Sequence, residues 1–374
     1  MNQGVCTVTG IYPPDNGGPA QFAQVFSKWQ KSKGFSPRII TLTDAPSTTN
    51  ASEGFLIKKI TRNQNLFTRY LQTSLRIRGE FRKNIPVLVN GCFLETLFAS
   101  LAIGHSYVAK VPGDIVWERA KNKGLTNLDI AQYQSSRLSL RFKLFRLLFS
   151  ASLKRAQLVI TPSEQLKYFC TVWGINPSKI VVVYNSVSDD DFYPLTNIQK
   201  KFDVISVGRL ARWKGNEEII QVCHNLGLRL AVVGSGPELP NLQDIVNKLQ
   251  SSTTFLGDLS RKELNLAYNE SRFFVLNSTY EGTSHVLLEA RACGLLAIAR
   301  ANVGSNSDVV SHLSDGILFG AKTGMSLADA LTTAVSGQLD IERVATFAIT
   351  DTKKRFGIDA NFGRIYQLVS DMTQ

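Results

Sequence analysis

The chain has 374 residues, of which 44% are hydrophobic and 19% charged, and this length and composition predict a soluble globular protein with two domains. No segment approaches the roughly 18 apolar residues of a membrane-spanning helix, and the N-terminus lacks the basic and apolar regions of a signal peptide. The five cysteines are scattered and odd in number, which favours reduced thiols over disulfides or a metal site. The expected location is therefore the cytoplasm.

The net charge of +12 is distributed unevenly along the chain. Residues 1–199 contain 24 Lys/Arg and 12 Asp/Glu, an excess of 24 − 12 = +12, whereas residues 200–374 contain 18 of each. A basic half of this kind predicts an anionic surface or acceptor for that half alone.

The first predicted elements are a strand at residues 5–10 and a helix at residues 20–33. The turn between them contains Gly17 and Gly18, and glycine-rich turns of this kind often hold a phosphate or a sugar. A plain tight turn is the alternative. A Ser/Thr/Asn-rich run predicts a loop at residues 47–52, and apolar runs predict strands at residues 38–42, 86–90, 106–111 and 179–183.

Two basic segments of the first half are candidates for contact with anionic lipid. Residues 66–83 predict an amphipathic helix, and basic helices of this type often lie on membranes. The alternative is a helix packed on the core with a solvated charged face. The expected apolar face consists of Leu66, Phe67, Tyr70, Leu71, Ile77 and Phe81, with Arg69, Arg76 and Lys83 opposite.

The second basic segment, residues 137–155, has six cations and no acid but lacks a clean apolar stripe. It predicts a packed helix first and a membrane contact second. We therefore expect an anionic membrane surface as a partner through residues 58–83 and 137–155, which leaves open a peripheral location on the inner face of the cytoplasmic membrane.

Asp114 follows the strand at residues 106–111, and ligands of open α/β sheets bind at the carboxyl ends of strands. Its carboxylate could accept a hydrogen bond from a sugar hydroxyl or act as a base. Capping of the next helix is the alternative. We predict a catalytic role for Asp114, and we expect Glu118 and Arg119 to shape the acceptor side.

In the second half, strands alternate with helices across residues 202–334, which predicts a parallel sheet with helices on both faces. A buried strand is expected at residues 273–278 and a helix at residues 286–293. Gly282, between them, lets a ligand approach the backbone closely. Thr283 or Ser284 can cap the helix, whose first N–H groups favour a phosphate.

Two acidic side chains of this stretch are candidates for sugar binding. Glu281 lies in the strand-to-helix turn, and Glu289 lies on an apolar side of the helix, where a carboxylate is costly unless it is paired. The hydroxyls of a sugar or a ribose are suitable partners. The alternative is a capping turn with a glutamate that reaches solvent.

Glu281 and Glu289, with seven residues between them, resemble the E-x7-E element of retaining glycosyltransferases of family 4, which belong to the GT-B class. Residues 208–215 resemble the family's G-R-x-x-x-x-K-G loop, and residues 234–237 resemble its G-x-G-P turn. Residues 254–257 are similar to the segment that contacts the nucleotide base, and residues 184–187 to an N-G-V-D stretch with serine in place of glycine.

The resemblance implies an α/β protein of the GT-B class, with two Rossmann-like domains whose parallel sheets face each other across a cleft. Residues 1–198 would bind the acceptor and residues 199–355 the nucleotide sugar. The C-terminal helix, residues 356–374, would pack back on the first domain. The implied activity is retaining transfer of a hexose from a UDP- or GDP-linked donor to a glycan or lipid-linked acceptor, by analogy in bacterial surface polysaccharide or lipopolysaccharide assembly.

The resemblance also assigns roles to residues. Glu289 would hold the ribose and Glu281 the hydroxyls of the donor sugar, while Arg209 and Lys214 would stabilise the departing diphosphate. Asp114 stands where many relatives have a histidine. The further donor-binding residues are expected to be Gly17, Gly18, Gly208, Gly234, Gly236, Leu256, Gly282, Thr283 and Ser284.

No cofactor or metal is expected, because the GT-B class generally works without one and residues 189–191, three consecutive aspartates, fall in the interdomain segment. Two enzyme alternatives keep the fold: a sugar-nucleotide epimerase and a phosphorylase. A third alternative is a non-catalytic basic module that binds membranes or nucleic acid. The basic segments lack recognisable RNA or DNA motifs, so we expect no nucleic-acid partner.

Overall fold

A computed structural model describes residues 2–15 and 17–371, and the chain divides into two compact units. Unit 1 comprises the residues up to Val183 together with those from Phe362 onward, and unit 2 comprises Tyr184–Asn361. The boundary expected at residues 198 and 199 lies inside unit 2.

Unit 1 is built on an eight-stranded sheet in the order β3-β4-β2-β1-β5-β6-β7-β8. Every neighbouring pair is parallel except β3 and β4, which are antiparallel. The strands are β1 (Asn2–Thr9), β2 (Phe35–Thr43), β3 (Thr48–Asn50), β4 (Leu56–Thr61), β5 (Val87–Val89), β6 (Val108–Lys110), β7 (Leu158–Thr161) and β8 (Ile180–Val182).

The loop predicted at residues 47–52 is partly wrong, because Thr48–Asn50 forms the edge strand β3. All three residues of β3 are exposed, so the segment shows no apolar run, and its pairing with β4 is provided by the backbone.

The helices of unit 1 cover the sheet, and α3 packs against both α2 and α6. Strand β1 lies between β2 and β5, so the chain builds the sheet first on one side of β1 and then on the other. The carboxyl ends of β1 and β5 therefore form a topological switch point. The helices are α1 (Gly18–Ser32), α2 (Leu66–Phe81), α3 (Phe93–Ile103), α4 (Ile115–Asn122), α5 (Ile130–Ser135), α6 (Leu140–Arg155) and α7 (Glu164–Val172).

Unit 2 contains a six-stranded, all-parallel sheet in the order β11-β10-β9-β12-β13-β14. The buried apolar runs on these strands pack against helices on both faces, as predicted. The strands are β9 (Phe202–Val207), β10 (Leu230–Val233), β11 (Thr253–Gly257), β12 (Ser271–Leu276), β13 (Leu296–Arg300) and β14 (Ile317–Phe319).

The switch point of unit 2 lies between β9 and β12, since β9 starts the sheet and the chain returns to its other side at β12. The helices are α8 (Asn216–Asn225), α9 (Leu239–Leu249), α10 (Arg261–Asn269), α11 (His285–Ala292), α12 (Asn306–Val309), α13 (Leu327–Val335) and α14 (Ile341–Phe356).

The last helix, α15 (Ile358–Ser370), joins the end of the chain to unit 1 through aromatic contacts. The ring of Phe362 packs edge-on against Phe26 at 5.3 Å, and Tyr366 stacks on Phe35 at 4.2 Å between ring centroids. Aromatic pairs at these separations add to the area that they bury. None of the helices within residues 2–15 and 17–371 combines the length and the apolar character needed to cross a bilayer.

Unit 2 also contains a fully buried cation on α11. The guanidinium of Arg291 contacts carboxylate oxygens of Asp315 at 3.3 Å and of Asp351 at 3.1 Å. A buried charge needs such partners, because desolvation without them costs several kcal/mol. Arg291 therefore ties α11 to α14 and to the segment before β14.

We expect Arg291→Ala to lower the free energy of unfolding by about 3–5 kcal/mol, because it leaves two carboxylates without their buried partner. Guanidinium chloride unfolding of the full chain measures the change. Arg343→Ala, which removes an exposed arginine on α14, is the matched control and should change stability by less than about 0.5 kcal/mol. A loss of under about 1 kcal/mol in Arg291→Ala would contradict the assignment.

Candidate functional site

The switch point of unit 2 brings together two of the predicted site residues. Lys214 follows β9 and Glu281 follows β12, and the Nζ of Lys214 lies 2.5 Å from Oε1 of Glu281. Their side chains keep 18% and 13% of their surface exposed, so the pair is shielded but accessible. Sixty-seven residues of chain separate the two. Opposite charges held together at this edge form a candidate ligand site.

Hydrogen bonds to main-chain carbonyls connect the loop that follows β9 to the loop that follows β12. The N–H of Thr279 donates to the carbonyl of Trp213 at 2.8 Å, and the side-chain amide of Asn277 donates to the carbonyl of Gly215 at 3.0 Å. These bonds connect the residues that flank Lys214 to those that precede Glu281. The position of the pair is therefore set by main-chain contacts as well as by its own attraction.

The loop after β10 also contacts the loop after β9. Gly234 has φ of +121°, and a Cβ at this position would lie 2.1 Å from the carbonyl oxygen of Gly208. A Cβ at Gly236 would lie 2.3 Å from the carbonyl oxygen of Leu210, so side chains are excluded at both predicted glycines. This part of the G-x-G-P turn brings backbone, rather than side chains, next to the loop that carries Arg209.

A glycine that sequence reasoning passed over supports the loop of Glu281. Gly304 follows β13 with φ of +54°, and a Cβ there would lie 2.1 Å from the carbonyl oxygen of Gly282. The N–H of Ser305 donates to the same carbonyl at 2.9 Å. The sequence signal for this contact is the glycine of the Val303-Gly304-Ser305 segment, directly after a buried strand.

The capping role predicted for Thr283 or Ser284 is only partly correct. Ser284 occupies the cap position, and α11 starts at His285, but the Ser284 side chain makes no capping hydrogen bond. Both side chains are buried. The carbonyl of Thr283 instead accepts a hydrogen bond from the amide of Asn185 at 2.8 Å, so the segment before β9 fixes the start of the helix.

Glu289 lies on α11, where the Oη of Tyr268 donates to its Oε2 at 3.1 Å. Burial raises the pKa of Glu289 to about 7, and the Tyr268 hydrogen bond offsets only part of that effect. Glu289 is only half-buried, so its carboxylate is held by Tyr268 on one side and keeps part of its surface exposed. Tyr268 itself was not identified from sequence, because one tyrosine on a predicted helix gives no local signal.

The remaining donor-site predictions occupy different environments. Arg209 is exposed after β9, and Arg212 lies 3.5 Å from Glu238. The side chain of Leu256, on β11, packs against the hydrophobic core of unit 2. Gly17 and Gly18 belong to unit 1, where they begin α1 and are exposed.

The catalytic role predicted for Asp114 is corrected by the structure in favour of helix capping. Its Oδ1 accepts hydrogen bonds from the N–H groups of Val116 and Trp117 at 2.9 and 3.1 Å. Its Oδ2 accepts from Gln134 at 2.9 Å and from Arg146 at 2.7 Å. Asp114 is fully buried, so its oxygens are committed to the start of α4 and to the α6 arginine.

The predicted lipid-contacting segments are also revised. Lys58 and Lys59 belong to β4, and Lys58 pairs with the buried carboxylate of Glu80. On α2, Ile77 and Phe81 are buried, whereas the apolar residues of the first turns are exposed. The expected apolar face therefore divides into a core half and a surface half.

Within residues 2–15 and 17–371, no three His, Cys, Asp or Glu side chains converge as metal ligands would. In the aspartate run of residues 189–191, Asp189 lies 3.4 Å from Lys353, and Asp191 pairs with Arg261. Two of these carboxylates thus have protein cations as partners.

This α/β architecture, with two sheets that each carry a switch point, is shared with solved glycosyltransferase structures. Anabaena HepE in complex with UDP superposes with a TM-score of 0.78 and 17% identity, over 99% of this chain and 100% of that chain. Structures of HepE with UDP and glucose and with UDP-glucose match at TM-scores of 0.76 and 0.75. The predicted GT-B fold is confirmed.

Sequence comparisons agree with the fold. Residues 188–350 match the family model "Glycosyl transferases group 1". An uncharacterised glycosyltransferase of Methanocaldococcus jannaschii is 25% identical over 54% of this chain and 56% of its own length. The O-antigen chain mannosyltransferase RfbU of Salmonella typhimurium is 28% identical over 46% of this chain and 50% of its own length. The matches span about half the length of these curated relatives.

Residues 188–350, which make up most of unit 2, are therefore similar to the group 1 glycosyltransferases, and the chain that contains them has the GT-B fold. The predicted resemblance is confirmed at this level. Lys214, Glu281 and Glu289 all lie within the matched segment.

The raised pKa of Glu289 predicts a pH-dependent contribution to stability. Between about pH 4.5 and 7 this carboxyl is ionised in the unfolded chain but still protonated in the folded chain. Its contribution to stability is therefore complete below this window and is lost as the pH rises through it. We expect Glu289→Gln, which stays neutral, to gain stability relative to the unchanged protein as the pH rises.

Chemical unfolding of both proteins at about pH 5 and about pH 7.5 tests this expectation, because the window lies between these values. Glu342→Gln removes an exposed carboxylate on α14 and is the control. A stability difference between Glu289→Gln and the unchanged protein that is the same at both pH values would contradict the assignment.

Proposed function

We propose that the chain is a glycosyltransferase that moves a sugar, with retention of anomeric configuration, from a nucleotide diphosphate sugar to an acceptor. The observation that carries the proposal is the contact between Lys214 and Glu281 at the switch point of unit 2. A donor has an anionic diphosphate and a sugar rich in hydroxyls, and this pair offers a cation for one and a carboxylate for the other.

During transfer, the bond between the sugar's anomeric carbon and the diphosphate oxygen breaks, and its electron pair leaves with the diphosphate. A new bond forms between that carbon and an acceptor oxygen, whose proton passes to the departing phosphate. Lys214, with Arg209 on the same loop, stabilises the growing negative charge without a divalent ion. Glu281 orients the sugar through its hydroxyls, and Glu289 holds the ribose.

The proposal for the donor base is supported by structural similarity alone. HepE is described in complex with UDP and with UDP-glucose, and the present chain shares its fold. We therefore propose a UDP-linked hexose as the first donor to test, with GDP-linked sugars as the second. RfbU, which matches 46% of this chain, is an O-antigen chain mannosyltransferase, and this supports surface polysaccharide or lipopolysaccharide assembly as the setting.

We expect Lys214→Ala and Glu281→Ala each to lower kcat/KM by at least about 100-fold, the size of effect seen when an electrostatic stabiliser is removed. Transfer from UDP-glucose is measured, and NMR of the product reports its anomeric configuration. Lys262→Ala removes an exposed lysine on α10 and should retain full activity. Activity should also survive EDTA. Near-normal rates in both site variants would eliminate the assignment.

Peripheral attachment to an anionic membrane is a further part of the proposal. On α6, Leu140, Leu144 and Leu147 are spaced on one side of the helix and are 85%, 57% and 64% exposed. Arg141 and Lys143 lie on the same helix segment. Exposed leucines beside cations are typical of helices that insert shallowly into the headgroup region of anionic bilayers.

We expect the chain to sediment with phosphatidylglycerol vesicles and less with phosphatidylcholine vesicles, because the cations of α6 favour anionic lipid. Leu140→Asp combined with Leu144→Asp should reduce sedimentation at least about tenfold, because the change removes apolar area that the leucines bury in the bilayer and adds negative charge. Leu313→Asp alters an exposed leucine of unit 2 and is the control. Equal binding to both vesicle types would contradict membrane attachment through α6.

A further inference from the structure

Unit 1 contains two neighbouring cavities. The first, the switch-point pocket, has a volume of about 420 Å³ and is lined by Gly10 and Asn90, which follow β1 and β5. The second, the α2–α3 groove, has a volume of about 410 Å³ and is lined by α2 and by Phe98 of α3. Tyr70 lines both, so the two cavities meet at this side chain.

The switch-point pocket contains a buried polar group with an unmet hydrogen bond. Asn90 is 2% exposed, and its Nδ2 donates to the carbonyl of Pro19 at 3.2 Å. Within the described residues its Oδ1 has no partner. Buried acceptors are normally satisfied, so an unsatisfied one in the wall of a cavity indicates a polar ligand.

Among the described residues, the charged lining of the pocket consists of three arginines and of Glu95 and Glu118, and one of the arginines, Arg62, is paired with Asp15 and Asp44. Arg62, Arg69 and Arg119 lie in its wall, and the buried Nε of Arg69 has no hydrogen-bond partner within the described part of the chain. Glu95 also lines the pocket, but burial raises the pKa of its carboxyl, which reduces its opposition to an anion. Arginine forks match the geometry of phosphate oxygens.

The α2–α3 groove is apolar and open. Phe67 and Leu71 of α2 are 78% and 49% exposed, and Leu75 and Phe98 are each 51% exposed. Large apolar side chains gathered around one groove mark a site for an apolar ligand, since exposed clusters of this kind are uncommon in soluble proteins. Among the described residues, Arg78 is the one cation in the groove lining.

We propose that the two cavities bind one amphiphilic acceptor, with its phosphate head in the switch-point pocket and its hydrocarbon chain in the α2–α3 groove. The presence of Tyr70 in both linings, and the change from a polar lining with arginines to an apolar lining, match a molecule with these two parts. The inference rests on the proposed function and narrows its acceptor to the lipid-linked class, because a free glycan has no hydrocarbon chain to occupy the groove.

Farnesyl phosphate, kept below the concentration at which it forms micelles, is the probe, and calorimetry on the full chain measures its affinity. We expect farnesol and inorganic phosphate each to bind at least about tenfold more weakly, because each lacks one of the two parts. Leu71→Asp and Arg69→Ala should each weaken farnesyl phosphate binding at least about tenfold. Phe67→Asp provides a second groove variant, and Phe347→Asp, an exposed site in unit 2, is the control.

Binding of UDP to the same variants reports separately on unit 2 and on folding. Loss of farnesyl phosphate binding with unchanged UDP binding supports the proposal. Equal affinity for farnesol and farnesyl phosphate overturns it, as does an Arg69→Ala variant with full affinity. Binding to phosphatidylglycerol vesicles but not to farnesyl phosphate also overturns it, since the groove would then be only a membrane contact. Failure of both UDP and GDP to bind the unchanged protein would instead refute the proposed function.

Discussion

The contact between Lys214 and Glu281 depends on the strand order of unit 2. Only because β12 pairs with β9, rather than with β11, do the loops that follow these two strands emerge side by side. Neither charge is fully removed from water, so the pair avoids the large desolvation cost of a buried ion pair. The anionic part of a ligand can take the place of Glu281 beside Lys214, and its hydroxylated part can take the place of Lys214 beside Glu281. The net cost of this exchange is small, which makes the contact suitable for a binding site.

Sequence patterns predicted best the elements whose residues are buried, because burial produces a continuous apolar run that can be recognised in the sequence. The strand expected at residues 273–278 corresponds to β12 (Ser271–Leu276), because its apolar run is buried on both faces of a parallel sheet. The exposed edge strand at Thr48–Asn50 escaped, because its pairing uses only backbone atoms. The site followed the same rule: motif spacing located Glu281 and Lys214, but their approach to 2.5 Å depends on sheet order, which no local pattern encodes.

Asp114 shows the limit of local reasoning about a polar residue. Its position after a strand predicted either catalysis or capping, and the two cannot be separated within a short window. Gln134 and Arg146, which bind its second oxygen, lie 20 and 32 residues further along the chain. Tyr268, the partner of Glu289, and Gly304, which approaches Gly282, are long-range partners of the same kind. Each becomes visible only when distant segments have packed.

The ion pairs of unit 1 show which cations of the basic first half are already paired with carboxylates. Several cations are neutralised internally: Arg38 and Lys58 contact Glu80, Arg146 contacts Asp114, and Arg62 contacts Asp15 and Asp44. Cations held in such pairs attract external anions only weakly, so the net charge of the first half overstates the positive charge that is available to a ligand. Arg69, in the pocket wall, and Arg141 and Lys143 of α6, beside exposed leucines, are placed differently. An anionic group that also carries a hydrocarbon chain satisfies both the charge and the exposed apolar surface of this unit, whereas a purely ionic partner such as nucleic acid satisfies only the charge.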